Sequence, residues 1–213
     1  MSDTERRRVA RGLEAQLAHD PDVIGWKIGL NVPAVQEHLG LEGPVIGHLT
    51  ERSVIEPGST WSVAGGTRVC VEPEVAIHLG PDGGIAGFGP AIEVVDLDPA
   101  LSELHDILTG NVFHRGVVLG PVVQGVTAAD LAGLTATVTC NGDVEQHARY
   151  ADTGEDPDEV IRIVGERLAA VGRSLEPGQV IIAGSLTPMV PVHEGDRVEV
   201  DLERLGTLGL GLS

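Results

Sequence analysis

Lysine is almost absent. Of 14 basic residues in a chain of 213, only Lys27 is not arginine, and 32 acidic residues leave a formal charge of −18 at pH 7. That balance excludes a generic nucleic-acid binder, which needs a cationic face to neutralise phosphate. It also excludes a polybasic lipid anchor, since the only clustered arginines are Arg6, Arg7, Arg8 and Arg11. Aromatic residues are equally scarce, two Trp, one Tyr and two Phe, so base stacking has little to use. Cys70 and Cys140 are too few for a disulfide framework and point to a reducing compartment. No apolar run approaches the ~20 residues of a membrane helix, and no apolar segment follows Met1-Ser2-Asp3-Thr4-Glu5-Arg6-Arg7-Arg8. The expectation is a cytoplasmic protein with neither membrane nor nucleic acid as partner.

What the chain does have is aliphatic bulk, 42% hydrophobic residues, and 29 glycines. Together they predict a Val, Leu, Ile and Ala core with many tight turns and close backbone approaches. Without a linker or a repeat, one domain over 1–213 is expected, with an N-terminal helix within 1–20. Val9, Leu13 and Leu17 recur at a four-residue spacing over 4–19, with Ser2 or Asp3 as cap. Strands are expected at 23–30, 45–50, 68–79, 91–96, 117–123, 180–183, 196–202 and the last residues. Further helices are expected at 33–39, 99–109 and 157–171, a hairpin over 134–150 turning at Asn141-Gly142, and a glycine-rich loop over 80–90. Strands do not alternate regularly with helices, so the fold class is α+β rather than a doubly wound parallel sheet.

The segment Arg68 to Leu79 alternates strictly. Val69, Val71, Val75, Ile77 and Leu79 fall on one face; Cys70, Glu72, Glu74, Ala76 and His78 fall on the other. Glu72 and Glu74 therefore project to the same side, about 6.6 Å apart along the strand. Acidic residues on a solvated strand face would account for that pair alone. Cys70 and Ala76 are poor solvating neighbours, however, and Pro73 implies an edge strand or an interrupted ladder. A third acid, Glu93, stands inside the apolar run Ala91-Ile92-Glu93-Val94-Val95, where a carboxylate needs a partner or a cation. All-oxygen ligation by a few carboxylates suits Mg²⁺ or Mn²⁺, whereas zinc favours His or Cys.

Five segments in order carry a family resemblance: Gly25-Trp26-Lys27-Ile28-Gly29-Leu30, Glu72-Pro73-Glu74-Val75-Ala76, Ala91-Ile92-Glu93-Val94-Val95, Ala183-Gly184-Ser185-Leu186-Thr187-Pro188-Met189 and Gly195-Asp196. From about Val23 to the C-terminus the chain resembles the 2-keto-4-pentenoate hydratase and 4-oxalocrotonate decarboxylase branch of the fumarylacetoacetate hydrolase-like superfamily. The resemblance implies a β-rich roll or sandwich with peripheral helices, and a homo-oligomer. It implies Mg²⁺ or Mn²⁺ held by Glu72, Glu74 and Glu93, and a small 2-oxo or 2-hydroxydienoic acid as substrate. The chemistry implied is a lyase's, hydration or decarboxylation through a metal-stabilised enolate. An acylpyruvate-type hydrolase and an inactive metal-binding partner of a related enzyme stand as alternatives.

Carried onto these residues, Lys27 is a catalytic or orienting cation and Leu30 borders the substrate. Glu51, after Gly47-His48-Leu49-Thr50, stands where relatives place an acid–base aspartate; the alternative is an exposed acid beside Arg52. Asn111 is retained from the family's Asp-Asn-Ala-Ser segment, and Ser185 or Thr187 is a hydroxyl partner for a substrate carboxylate. His48 and His78 either approach the site or lie at its rim. Three carboxylates and an anionic substrate give a reason for one compact cation that arginine does not replace. Lys27→Arg is expected to lose turnover while keeping metal; near-normal activity in that variant would reduce Lys27 to an ordinary strand residue.

Overall fold

The computed structural model describes residues 3–18, 22–97 and 103–213. In chain order the elements are α1 (Asp3–Leu17), β1 (Val23–Gly29), α2 (Pro33–Leu39), β2 (Val45–Thr50), β3 (Val54–Ile55), β4 (Thr60–Trp61), β5 (Val69–Leu79) and β6 (Ile85–Asp96). There follow α3 (Leu104–Thr109), β7 (His114–Leu119), α4 (Ala128–Leu131), β8 (Thr135–Cys140), β9 (Asp143–Arg149), α5 (Tyr150–Thr153) and α6 (Pro157–Ala169). The chain closes with β10 (Val180–Ser185), β11 (Val190–Pro191), β12 (Arg197–Asp201) and β13 (Thr207–Leu212). The α+β expectation holds.

Two mixed sheets form. The larger runs β2-β1-β10-β5-β6-β7-β3, with β11 also on β5; the smaller runs β4-β13-β12-β8-β9. The outermost strands of the larger sheet, β2 and β3, are joined by the single 3-10 turn Glu51–Ser53. So short a link can join the two ends only if the sheet curls back on itself, and β2 does contact β7. The result is a roll.

One face of the curled sheet packs on the smaller sheet and α6, burying Val71, Ile77 and Ile181 against Val138, Val198 and Leu168. Its inner face carries a small separate apolar layer of Leu49, Ala76, Ala91, Val117, Val180 and Ile182. Alternation along β5 follows the sequence pattern, so Glu72 and Glu74 share this inner face with Ala76. Helix α6 begins on Asp156, whose carboxylate accepts from the N–H groups of Asp158 and Glu159, with Pro157 in the first turn.

Several expectations need correction. The 80–90 loop is only a tight turn, because β6 already begins at Ile85. Glycine is needed there for approach rather than flexibility: a Cβ on Gly89 would lie 2.7 Å from the Pro121 carbonyl oxygen. The strand placed at 117–123 starts earlier, at His114, and ends at Leu119, leaving one isolated bridge between Phe88 and Val123. The proposed capping by Ser2 or Asp3, the end of the first helix beyond 18, and the start of the helix placed at 99–109 fall outside the described residues. Pro73 lies on an internal strand, at the point where β5 changes neighbour from β10 to β11. Its carbonyl still accepts from the Leu186 N–H at 2.9 Å, which is the interrupted ladder its presence implied.

Leu168 is fully buried on α6, the helix that backs β1, β2 and β10. Leu168→Ala is expected to cost about 2–5 kcal/mol, read as a lower urea midpoint with unchanged slope.

Candidate carboxylate site

Strand register brings the acids together. Glu72 and Glu93 are direct cross-strand partners in the antiparallel β5–β6 pair, and Glu74 lies opposite Ser185 on β10. Lys27, on β1, pairs with Ile182, which in turn pairs with Ala76, so its side chain emerges on the same inner face. One carboxylate oxygen from each of Glu72, Glu74 and Glu93 lies within 4.8 Å of the others. Lys27, 2% exposed, donates from Nζ to Glu93 Oε1 at 2.5 Å and to the Val112 carbonyl at 3.1 Å. His114 Nδ1 is 2.7 Å from the same Glu93 oxygen. The Gly184 N–H donates to Glu74 Oε2 at 2.7 Å. Gly184 itself is required, with φ +96° and Asn31 Nδ2 only 2.7 Å from where a Cβ would stand.

The three carboxyls differ sharply in charge preference. Burial pushes Glu72 up to about 7, with the Glu93 charge adding to the effect and Lys27 opposing it. Glu74 is also raised, well above the ordinary carboxylate range, by burial and then by the charges of Glu93 and Glu72, against Lys27 and the Gly184 N–H. At Glu93 burial also disfavours charge, but Lys27 and His114 outweigh it and hold the carboxyl below its ordinary range. One ammonium thus stabilises one carboxylate and leaves the other two short of positive charge. Oxygen donors in that state fit a hard divalent cation, which would supply the missing charge.

These groups line a cavity of about 250 Å³ together with Leu30, Ser185, Phe113 and Met189. Lys27, Leu30 and Ser185 therefore stand with the three glutamates, although the Ser185 hydroxyl already donates to the Thr187 carbonyl at 2.7 Å. The other residues singled out in the sequence do not line it. Glu51 is exposed on the 3-10 turn at the seam of the roll. His48 is one residue out of register with Gly47, the partner of Lys27, so its ring turns to α1 and lies 3.3 Å from Gln16 Oε1. Burial lowers the His48 pKa to about 4, with His114 and Arg173 contributing. Thr187 is buried and donates to the Pro188 carbonyl. His78 lies on the inner face away from the cavity, its pKa lowered by burial.

Asn111 acts on the backbone. Its side chain accepts from the His48 N–H at 2.8 Å and donates to the His48 carbonyl at 2.9 Å. This clamp holds an unusual left-handed run, with φ of 55°, 53° and 67° at Asn111, Val112 and Phe113. Such conformations cost about 1–3 kcal/mol each in non-glycine residues. The run aims the Val112 carbonyl at Lys27. Sequence reasoning missed His114, that carbonyl, the Gly184 N–H and Asn31. A polar residue opening β7 ahead of the apolar Gly116-Val117-Val118-Leu119 was the one signal for His114.

The comparisons with known proteins agree with this architecture. Residues 26–211 match the fumarylacetoacetate (FAA) hydrolase C-terminal family, and the chain belongs to that family. It is 28% identical over 206 residues to 2-hydroxyhexa-2,4-dienoate hydratase of Comamonas testosteroni, covering 88% of this chain and 77% of the relative. It is also 28% identical to 2-keto-4-pentenoate hydratase of Burkholderia vietnamiensis, covering 87% and 76%. The solved structure of 4-oxalocrotonate decarboxylase from Pseudomonas putida G7, complexed with magnesium and adipate, superposes with a TM-score of 0.80 at 21% identity, over 99% of this chain and 82% of that one.

The Glu72 shift has a definite sign. A carboxyl whose folded pKa lies above its unfolded value binds protons more tightly when folded, so stability falls as pH rises from about 4.5 to about 7 and then levels. Buried His48, with its lowered pKa, acts in the opposite sense over much of this window, so the Glu72 contribution is read by comparison with Glu72→Gln. In chelator-treated protein, the stability of the parent relative to that variant is expected to fall between pH 5 and pH 7.5, by roughly 3 kcal/mol at most; a pH-independent gap between the two would overturn the assignment.

Proposed function

We propose that this protein is a divalent-metal-dependent lyase that hydrates or decarboxylates a small 2-oxo or 2-hydroxydienoic acid. The observation that carries the reading is the convergence of Glu72, Glu74 and Glu93 beside Lys27 in one cavity. Relatives named as hydratases and a decarboxylase support it. Glu72, Glu74 and Glu93 would hold Mg²⁺ or Mn²⁺, and such an ion supplies Lewis acidity toward a 2-oxo acid head group.

The chain's own residues supply the rest. Lys27 has three N–H donors, of which two are taken by Glu93 and Val112. The third is left for a substrate oxygen, where the ammonium offsets negative charge as it develops. Glu93 and the Val112 carbonyl orient Lys27, and His114 holds the same Glu93 oxygen. Aliphatic walls around the glutamates limit water and sharpen these electrostatic effects. Leu30 borders the substrate, and Ser185 contributes an oxygen at the edge of the cavity. Glu51, His48, Asn111 and Thr187 act in this reading through the seam and the loops that shape the site.

The working state we propose is a cytoplasmic homo-oligomer. Both cysteines are free, and exposed Val54 and Val144 lie on the outermost strands β3 and β9, which supports self-association. No helix among the described residues is long and apolar enough to cross a membrane.

Glu72→Ala and Glu93→Ala are each expected to weaken Mn²⁺ binding by at least about tenfold in calorimetry and to abolish loss of 2-hydroxypenta-2,4-dienoate absorbance. Unchanged metal affinity in both variants would overturn the ligand assignment. Metal binding without consumption of any dienoate, oxalocrotonate or acylpyruvate would favour an inactive binding role.

A further inference from the structure

We infer that the acid this cavity accepts carries a single carboxylate and an uncharged, apolar tail, and that a second carboxylate at the far end is selected against. The inference rests on the proposal that the 2-oxo acid head meets the glutamates and Lys27, and within that proposal it selects hydration over decarboxylation, which needs a distal carboxylate to lose.

The first support is charge. Lys27 is the only cationic side chain lining the cavity among the described residues, and the other charged residues there are the three glutamates. No lysine or arginine occurs in 1–2, 19–21 or 98–102, the segments outside the described residues. Arg52 and Arg115 line a different hollow, which shares no residue with this one. A distal carboxylate entering the cavity would lose hydration and find no second cation to offset its charge.

The second support is the wall itself. Away from the glutamates the lining is mostly apolar, with Val32, Val35, Val95, Leu97, Phe113 and Met189 beside the neutral Asn31 and Ser185. Val32 and Val35, at 53% and 39% exposure, are two of the four exposed large apolar residues among those described. They flank and form the start of α2, a helix with no buried residue of its own. An aliphatic or vinylic tail reaching past the head group covers them and removes apolar surface from water. Charge and shape thus select the same kind of ligand.

Calorimetry with the Mn²⁺-loaded protein tests this using three acids: pyruvate, 2-oxohexanoate and 2-oxoadipate. The last two have six carbons each and differ by a terminal carboxylate. Affinity is expected to rise from pyruvate to 2-oxohexanoate, by up to about fourfold per buried methylene. 2-Oxoadipate should bind at least about tenfold more weakly than 2-oxohexanoate. Val35→Arg places a cation at the mouth on an exposed position that the core does not depend on, and should narrow that gap. If pyruvate binds and 2-oxoadipate binds as tightly as 2-oxohexanoate, this inference alone is overturned. If none of the three acids binds, the proposed function fails and the inference fails with it.

Discussion

The structure turns on the buried contact between Lys27 and Glu93. Three carboxylates on the inner face of an aliphatic roll are costly to ionise, because the surroundings offer little solvation and each charge repels the others. A single ammonium, set by β1 three places across the sheet from β6, resolves this for Glu93 and leaves Glu72 and Glu74 hungry for protons or for a cation. The rest of the site arranges support for that pair. The Val112 carbonyl holds the lysine, His114 holds the same Glu93 oxygen, and Gly184 approaches Glu74 from β10.

The curled sheet makes such a cluster possible. In a flat sheet the inner face would be open to water, and acids at adjacent register positions would be an ordinary solvated stripe. Here the short turn between β2 and β3 draws the two ends of the sheet together, so the same residues face an enclosed space. The left-handed run at 111–113 belongs to this closure. Asn111 ties it to β2 while Val112 and Phe113 reach the cavity, so its backbone strain is held by contacts to both sides of the seam.

Much of this was legible in the chain. Alternation along 68–79 put Glu72 and Glu74 on one face, and the oddity of Glu93 within an aliphatic run marked it as a partner. The lone lysine in an apolar segment was equally conspicuous. Glu51, His48 and Thr187 were less legible, because adjacency to a motif does not say which way a side chain points. His48 differs from Gly47 by one position, and in a strand one position is the difference between the inner and the outer face. The glycines at 80–90 misled for a related reason. Glycine marks close backbone approach as readily as it marks a loop, and only the path of residues 120–123 over β6 distinguishes the two.

By itself the sequence determined the α+β class, the family, most strand positions and the acids most in need of partners, because periodicity and the cost of buried charge are local properties. Tertiary structure decided which groups meet. Register between β5 and β6 set Glu72 opposite Glu93, curling of the sheet drew them to one inner face, and Val112, His114 and Gly184, 85, 21 and 110 positions from their partners, supplied the hydrogen bonds. Those outcomes depend on strand pairing across long stretches of chain, and no local pattern of residues encodes where a distant strand will dock.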